Sequence, residues 1–417
     1  MTVGLLFAYI AGAVLIQLGA GLALALWRRH RDARSSDAVP EPTVAVPAGA
    51  WPGWRDFRVV RRAFEDPLRT QCSFYLQPVD GGALPSYKPG QFLTFQLNLP
   101  AGSGATEPAG RTITRCYSLS DRPGLDSYRI SVKRAAAPAG RTDCPPGLSS
   151  SHLHDHVHEG DVLRVKAPGG HFHLDADSPG PVVLIGGGIG ITPMMSMLRW
   201  CLDEQPERVV HLFYGVRHRG EQAYKDQLDA LAARHERFHL HVVYSRPAPD
   251  DVPGRDYQHT GHVDIDLLRR TLPHGRHQFY VCGSPALMES LVPALAEWGV
   301  PTADIHFEAF GPSSVRLAGS AGAATVAADA ADAPVEVHFR RAGRTLTWDG
   351  QDGNLLDFAE RHGVEVDSGC RSGGCGACET KMLSGTVRYA GKPDHDVAAG
   401  HCLLCVGAPT SALELEA

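Results

Sequence analysis

The chain has 417 residues, a length that fits roughly two to four domains rather than one. An apolar content of 43% and a charged content of 21% describe ordinary globular material, and a net charge of −6 without a basic stripe excludes nucleic acid as an expected partner. The 10 cysteines are spread through a large chain, which excludes a small secreted disulfide scaffold and fits a reducing compartment.

From Gly4 to Leu26 no residue is charged, and a run of that length can cross a hydrocarbon core of ~30 Å. Trp27 and then Arg28, Arg29, His30, Arg31 and Arg34 follow at once. Under the positive-inside rule this flank predicts a single-pass anchor over residues 1–27 with the catalytic domains cytoplasmic. A cleaved signal peptide is the rival, but its basic residues precede a shorter apolar core of about 7–15 residues. Residues 28–53 read as a linker, rich in Pro, Ala and Ser over 35–52.

Between Trp54 and Asp177 short alternating runs recur at Phe57–Val60, Gln71–Leu76, Phe92–Leu97, Tyr128–Lys133 and Val162–Lys166, separated by turn residues such as Pro89-Gly90. Many short punctuated strands predict an antiparallel barrel. From Pro181 the pattern changes. Val182–Ile185 reads as a buried strand, followed by a glycine loop and an apolar helix through Trp200. Val209–Tyr214, His239–Tyr244 and Phe279–Val281 read as further strands, with helical stretches near 221–234 and 286–297. That alternation predicts a parallel α/β sheet. An Ala-, Gly- and Ser-rich stretch over 312–334 is a second linker. A strand pair turned at Ala342-Gly343 and a helix near Leu355–Arg361 open the last segment, and no internal repeat is present.

That segment carries Cys370, Cys375 and Cys378 in C-x4-C-x2-C spacing, with Cys405 further on. This is the spacing of a plant-type 2Fe–2S site, in which four thiolates converge on two bridged irons. Gly369, Gly373, Gly374 and Gly376 give the loop its bending freedom and leave backbone N–H groups to face the sulfurs. A zinc site or structural thiols are the alternative use of such cysteines. Cys402 competes with Cys405 as fourth ligand.

Several further constellations carry chemistry. Arg115, Tyr117 and Ser118, in R-x-Y-S order on a strand, can pair with a phosphate, stack on a ring and hydrogen-bond a ring nitrogen. Gly147, Leu148, Ser149 and Ser150 open a helix, and such an N-terminus suits a pyrophosphate. Gly186, Gly187, Gly188, Ile189, Gly190, Ile191, Thr192 and Pro193 join a strand to a helix, where parallel sheets bind nucleotides, although the loop does not fit G-x-G-x-x-G. Cys282 and Gly283 end another strand at the same edge, and taken alone Cys282 reads as a buried small hydrophobe. His152, His154, His156 and His158 alternate, as metal ligands or as a solvated polar helix. Arg217 and Ser245-Arg246 follow successive strands. They could clamp a 2′-phosphate, contact a pyrophosphate or face solvent.

In their order, these pieces resemble the ferredoxin–NADP reductase superfamily, and the reductase part of flavohaemoglobins in particular. The resemblance rests on Pro89-Gly90-Gln91-Phe92, Arg115/Tyr117/Ser118, Val132-Lys133, Gly147–Ser150, Gly186–Pro193, Cys282-Gly283 and Glu308-Ala309-Phe310, spanning residues 54–311. The C-terminal segment separately resembles plant-type ferredoxins. The resemblance implies that Tyr117 stacks on the isoalloxazine of FAD and Ser118 bonds near its N5. Arg115 would pair with the flavin phosphates and Ser150 with the pyrophosphate. It places Thr192 and Cys282 beside the nicotinamide, with Glu308 and Phe310 closing the far side of the ring. Cys405, after the apolar pair Leu403-Leu404, matches the fourth ligand. Ser284 stands where the family has proline, and the loop Ala135–Pro146, with Cys144, is longer than in the family.

The expected architecture is therefore a transmembrane helix, an antiparallel β-barrel FAD domain over 54–178, a parallel-sheet α/β NAD(P) domain over 179–311 and a β-grasp 2Fe–2S ferredoxin domain over 335–417. The expected function is transfer of electrons from NADH or NADPH through FAD and the 2Fe–2S cluster to an acceptor protein such as an oxygenase, desaturase or haem protein. A membrane quinone reductase is the enzymatic alternative, although in the flavin subunit of sodium-pumping quinone reductases the ferredoxin precedes the flavin domain. A redox sensor without turnover is the alternative of another class.

Overall fold

A computed structural model describes residues 50–99, 111–137, 146–178, 180–310, 334–350, 352–369, 371, 373, 375–389, 393, 395 and 397–417. The anchor expected over residues 1–27, Cys144, Cys370 and Gly374 lie outside these. Among the described residues no helix is long and apolar enough to cross a membrane. The longest of them, Ile191–Glu204, has 14 residues. At 1.5 Å per residue it reaches about 21 Å, short of a hydrocarbon core of ~30 Å. The expected transmembrane helix, the membrane contact through it and the single-pass location with cytoplasmic catalytic domains are corrected on that ground: the uncharged run and its basic flank suggested them, and no described helix supports them.

The first sheet is antiparallel and contains β1 (Arg55–Phe64), β2 (Gln71–Pro78), β3 (Phe92–Leu99), β4 (Arg111–Ser118), β5 (Tyr128–Lys133) and β6 (Val162–Gly169), in the order β4-β3-β6-β1-β2-β5. A bridge between Leu119 and Ile130 brings the two edges together, closing a barrel. Alternation decides which side chains fill it: Phe57 and Val59 of β1 point inward to Phe74 and Phe95, while their neighbours face out. Helix α1 (Leu148–His156) caps one end.

The second sheet is parallel, with β7 (Val182–Gly187), β8 (Val210–Val216), β9 (Phe238–Tyr244), β10 (His259–Thr260), β11 (Gln278–Gly283) and β12 (Ile305–Ala309) in the order β10-β9-β8-β7-β11-β12. Helices cover both faces, so its central strands β7, β8 and β11 are buried almost throughout rather than alternating. On one face α2 (Ile191–Glu204) and α3 (Lys225–Arg234) bury Leu184, Leu212 and Tyr280. On the other, α4 (Ile265–Thr271) and α5 (Pro285–Glu297) bury Val183, Ile185 and Phe213. Ser284 caps α5 by accepting from the Leu287 N–H, and Pro285 takes the first helical position. The departure from the family's proline therefore keeps a good helix start.

In the third unit β13 (Val335–Phe339), β14 (Arg344–Trp348), β15 (Glu379–Ser384), β17 (His401–Leu403) and β19 (Leu413–Leu415) form a mixed sheet in the order β14-β13-β19-β15-β17. Two short strands, β16 (Val387–Tyr389) and β18 (Gly407–Pro409), pair beside it. Helix α6 (Leu355–Arg361), capped by Asn354, packs Phe358 between Phe339 and Trp348. The antiparallel barrel, the parallel α/β sheet and the β-grasp-like ferredoxin unit all fit the expected fold.

The barrel and the parallel sheet meet along a polar, buried seam. Asp121 receives Arg199 from α2 at 2.9 Å and faces Arg129 of β5 at 3.4 Å, with Asp121 and Arg129 both nearly sealed from solvent. Gln71 donates to the Glu221 carbonyl at 2.7 Å, and the hydroxyl of Tyr224 bonds Ser131. Gly90, at φ +106°, lets α2 come close: a Cβ there would lie 2.5 Å from the Met197 methyl. Replacing Asp121 with Ala would remove the carboxylate facing the buried Arg129 guanidinium and leave it the neutral oxygens of Ser120. Unfolding stability is expected to fall by about 3–5 kcal/mol, read from the urea midpoint, and a loss near zero would show that Ser120 alone satisfies Arg129.

Candidate functional site

Phe92 of β3 and segments from all three units line a cleft of about 400 Å³. Strand β4 gives Arg115, Cys116, Tyr117 and Ser118, and β5 gives Ser131, Val132 and Lys133. The loop after β7 gives Ile189 and Thr192, and the end of β12 gives Glu308 and Phe310. Ser368, Gly369 and Arg371, beside the cysteine loop of the third unit, complete the wall. The strand register explains the first group, because Arg115 and Tyr117 share one face of β4.

Each side chain is held. Tyr117 packs edge-on to Phe95 at 5.7 Å, and burial pushes its phenol up to about 12 against the opposing pull of Ser149 and Arg115. Ser118 is buried with its hydroxyl 3.5 Å from a Glu308 carboxylate oxygen. Arg115 donates to the Thr114 carbonyl at 2.7 Å and to the Ser368 carbonyl at 3.1 Å. Lys133 lies 3.6 Å from the Glu221 carboxylate, and the Val132 carbonyl meets the His154 ring at 2.9 Å. The Ser150 hydroxyl donates to the Gly147 carbonyl at 3.0 Å and accepts from the Ala135 N–H at 3.1 Å. Gly147, Ser149 and Ser150 therefore fix the helix start next to Tyr117.

The glycine loop is shaped by one close approach. A Cβ on Gly190 would stand 2.2 Å from the Cys282 carbonyl oxygen, and a Cβ on Gly283 would stand 3.1 Å from the Gly187 Cα. Gly186 is the register partner of Cys282 and lies under the start of α2, while Gly188 takes φ +55°. Thr192 donates to the Ile189 carbonyl at 3.0 Å, and Pro193 lies buried in the first turn of α2. Cys282 is fully buried and pairs in register with Glu308. Burial first, and the Glu308 charge second, raise its thiol well above the ordinary range, so it stays a protonated thiol at neutral pH.

Arg217, Ser245 and Arg246 sit at the same strand edge but outside the cleft wall. Arg217 is paired with Glu221, whose carboxyl is held below its usual value by Arg217 and Lys133 against the opposing effect of burial, which is the largest single influence. The Arg246 and Ser245 N–H groups bond the Arg217 and Val216 carbonyls. Of the histidine run, His152 and His156 share a helix face at 5.6 Å, while His154 is buried on the Val132 carbonyl rather than solvated. The helix ends at His156, so His158 leaves the face expected for it.

In the third unit Cys375, Cys378 and Cys405 are all buried. The Ala377 N–H donates to the Cys375 sulfur and the Cys405 N–H to the Cys378 sulfur, each at 3.4 Å, the arrangement that suits thiolate ligands. Among the described residues no three His, Cys, Asp or Glu side chains form a metal-holding group, and the remaining donor, Cys370, lies outside them. Gly373 and Gly376 take φ +78° and +72°, as a tight loop requires. Gly369 serves differently: a Cβ there would lie 2.7 Å from the Cys375 sulfur. Cys402 sits on β17 opposite Thr380, and burial pushes its thiol up to about 12. The donor set and its N–H groups thus fit an iron–sulfur cluster.

Sequence reasoning did not single out Ser131, Ser368 or Arg371 as site residues. Ser131 lies in a plain strand pattern with no motif to mark it, and Ser368 and Arg371 come from a unit separated in sequence by residues 312–334.

The family model described as an oxidoreductase NAD-binding domain matches residues 184–292, and that of a 2Fe-2S iron-sulfur cluster binding domain matches residues 339–410. The flavohemoprotein of Bacillus cereus is 40% identical over 266 residues, covering 64% of this chain and 63% of the relative. The chain thus spans under two thirds of the curated relatives it matches. The flavohem-like FAD/NAD-binding domain of nitric oxide dioxygenase from Vibrio cholerae is 34% identical, with a TM-score of 0.53, covering 62% of this chain and 99% of that one. Phthalate dioxygenase reductase, described as a modular structure for electron transfer from pyridine nucleotides to [2Fe-2S], is 25% identical with a TM-score of 0.50, covering 88% of this chain and 98% of that one. The chain therefore belongs to the ferredoxin–NADP reductase superfamily, with a flavohaemoprotein-like FAD/NAD(P) module preceding a 2Fe–2S ferredoxin domain.

Proposed function

We propose that the chain relays electrons from NAD(P)H through FAD to the 2Fe–2S cluster and on to an acceptor protein such as an oxygenase, desaturase or haem protein. The observation that carries this reading is the shared cleft: Ser368, Gly369 and Arg371 line the same cavity as Tyr117, Ser118, Thr192 and Glu308. When bound, the three cofactors supply hydride transfer, conversion of a two-electron donor to single electrons, and one-electron relay. The modular reductase above, with the same two functions in one chain, supports that order.

In this reading residues 54–178 hold the flavin, 179–311 the nucleotide and 335–417 the cluster. Tyr117 offers the stacking face, and Ser118 and Glu308 form a hydrogen-bonded pair that orients at the reacting edge. Gly147, Ser149 and Ser150 present a helix N-terminus to a pyrophosphate. Arg115, Val132 and Lys133 line the flavin side. Gly186, Gly187, Gly188 and Gly190 bring backbone to the nucleotide, with Thr192, Pro193, Cys282 and Gly283 beneath its ring and Phe310 across from it. The neutral, sealed Cys282 thiol excludes water and supplies a packing surface rather than a nucleophile. Arg217, Ser245 and Arg246 lie where the adenosine end would reach, and a 2′-phosphate would have to compete with Glu221 for Arg217. Cys370, Cys375, Cys378 and Cys405 ligate the cluster.

Three outcomes are expected. Anaerobic titration of the full chain with NADH and with NADPH should bleach the flavin and raise a rhombic one-electron EPR signal, the better donor identifying the nucleotide. A flavin that reduces while the cluster stays oxidised would break the relay. Cys405→Ser should abolish the cluster's visible bands while Cys402→Ser keeps them, and the reverse would exchange their roles. Gly190→Ala must push the loop off the Cys282 carbonyl, so flavin reduction by NAD(P)H should slow on the order of 100-fold, measured by stopped-flow, with reduction by dithionite unchanged.

A further inference from the structure

The contact between the ferredoxin unit and the barrel contains a cation that the relay as described leaves idle. Lys166, half-buried on β6, donates from Nζ to the Cys375 carbonyl at 3.1 Å. The Trp54 ring faces the same ammonium at 5.2 Å, which limits where the flexible stem can carry it. On β4, separated from β6 by β3, Arg115 donates to the Ser368 carbonyl at 3.1 Å. Ser368 precedes the cysteine loop and Cys375 lies within it, so two cations from one sheet hold it at two points. Between them the loop backbone lies close against the barrel: a Cβ on Gly369 would be 3.6 Å from the Cys116 sulfur.

We propose that Lys166 is a positioning residue that seats the cluster loop on the flavin barrel and thereby sets the rate at which electrons pass from the flavin site to the cluster. The proposal rests on the relay argued above. The step moves one electron, breaks no bond and uses only the reductant that NAD(P)H supplies. Lys166 touches neither substrate nor flavin wall. Its effect is exerted through the Cys375 carbonyl, and a positive charge beside a ligand residue also favours the more negative, reduced cluster. Losing a hydrogen bond from a charged donor should shift the seated population about tenfold. Arginine keeps the charge and can reach the same carbonyl.

The test uses the full chain with its cofactors, as wild type, Lys166→Met and Lys166→Arg. After mixing with NAD(P)H, flavin bleaching should proceed at the wild-type rate in all three. Cluster reduction should slow about tenfold in Lys166→Met and recover in Lys166→Arg. Dye-mediated titration followed by EPR should show the cluster potential of Lys166→Met shifted to more negative values, a readout independent of turnover. Unchanged cluster reduction and unchanged potential in Lys166→Met would overturn the seating role and leave the relay intact. Flavin bleaching without cluster reduction in the wild type would overturn the relay, and the seating role with it.

Discussion

The approach of Gly190 to the Cys282 carbonyl is the constraint on which the site depends. With a Cβ of Gly190 only 2.2 Å from that oxygen, no other residue lets the loop after β7 lie against the end of β11. Because β11 also pairs with β12, the same contact fixes Glu308 in register with Cys282, and Glu308 in turn reaches Ser118 of the barrel. One backbone contact thus ties the nucleotide loop, the central strands and the flavin wall into a single cleft. Cys282 pays no polar penalty there, since a neutral thiol is a small hydrophobe in an apolar layer.

Much of this was legible in the sequence because it is written locally. The apolar run Val182–Ile185 followed by glycines could only be a strand entering a tight loop, and it is β7. The helix expected near Leu355–Arg361 is α6, because Asn354 caps it and Leu355, Leu356, Phe358 and Ala359 form its buried face. The R-x-Y-S motif reads correctly as a strand, since its alternation separates Arg115 and Tyr117 from Cys116. Short elements without a period were harder. Helix α4 and strand β12 were not read from the sequence: β12 has five residues, too few for a periodic signal, and Glu308 on it was singled out by resemblance alone.

What the sequence could not carry was contact between distant segments. Nothing in the spacing of Ser368 says that its carbonyl meets Arg115, and the intervening residues 312–334 make that pairing invisible to any local pattern. The N-terminal run shows the opposite failure. Apolar composition over residues 4–26 is a local signal strong enough to suggest a membrane helix, yet no described helix supports it. The histidine run failed for a third reason: His154 alternates like a surface residue but turns inward to the Val132 carbonyl, a choice set by the tertiary neighbour rather than by the helix.

The two seams of the molecule differ in kind, and the difference bears on function. Barrel and parallel sheet are joined by buried groups: Asp121 with Arg129 and Arg199, Gln71 with the Glu221 carbonyl, and Tyr224 with Ser131. Parting them would leave charges and hydroxyls without partners in a dry interface, at a cost of several kcal/mol for the charged pair alone. That suits two modules that must hold a hydride donor against its acceptor within a fraction of an ångström. The ferredoxin unit is held at its loop by cation-to-carbonyl bonds from Lys166 and Arg115, both half-buried. Water can replace such bonds when they break, so each contributes on the order of 1 kcal/mol. In the proposed relay, electron transfer tolerates that looser joint where hydride transfer does not.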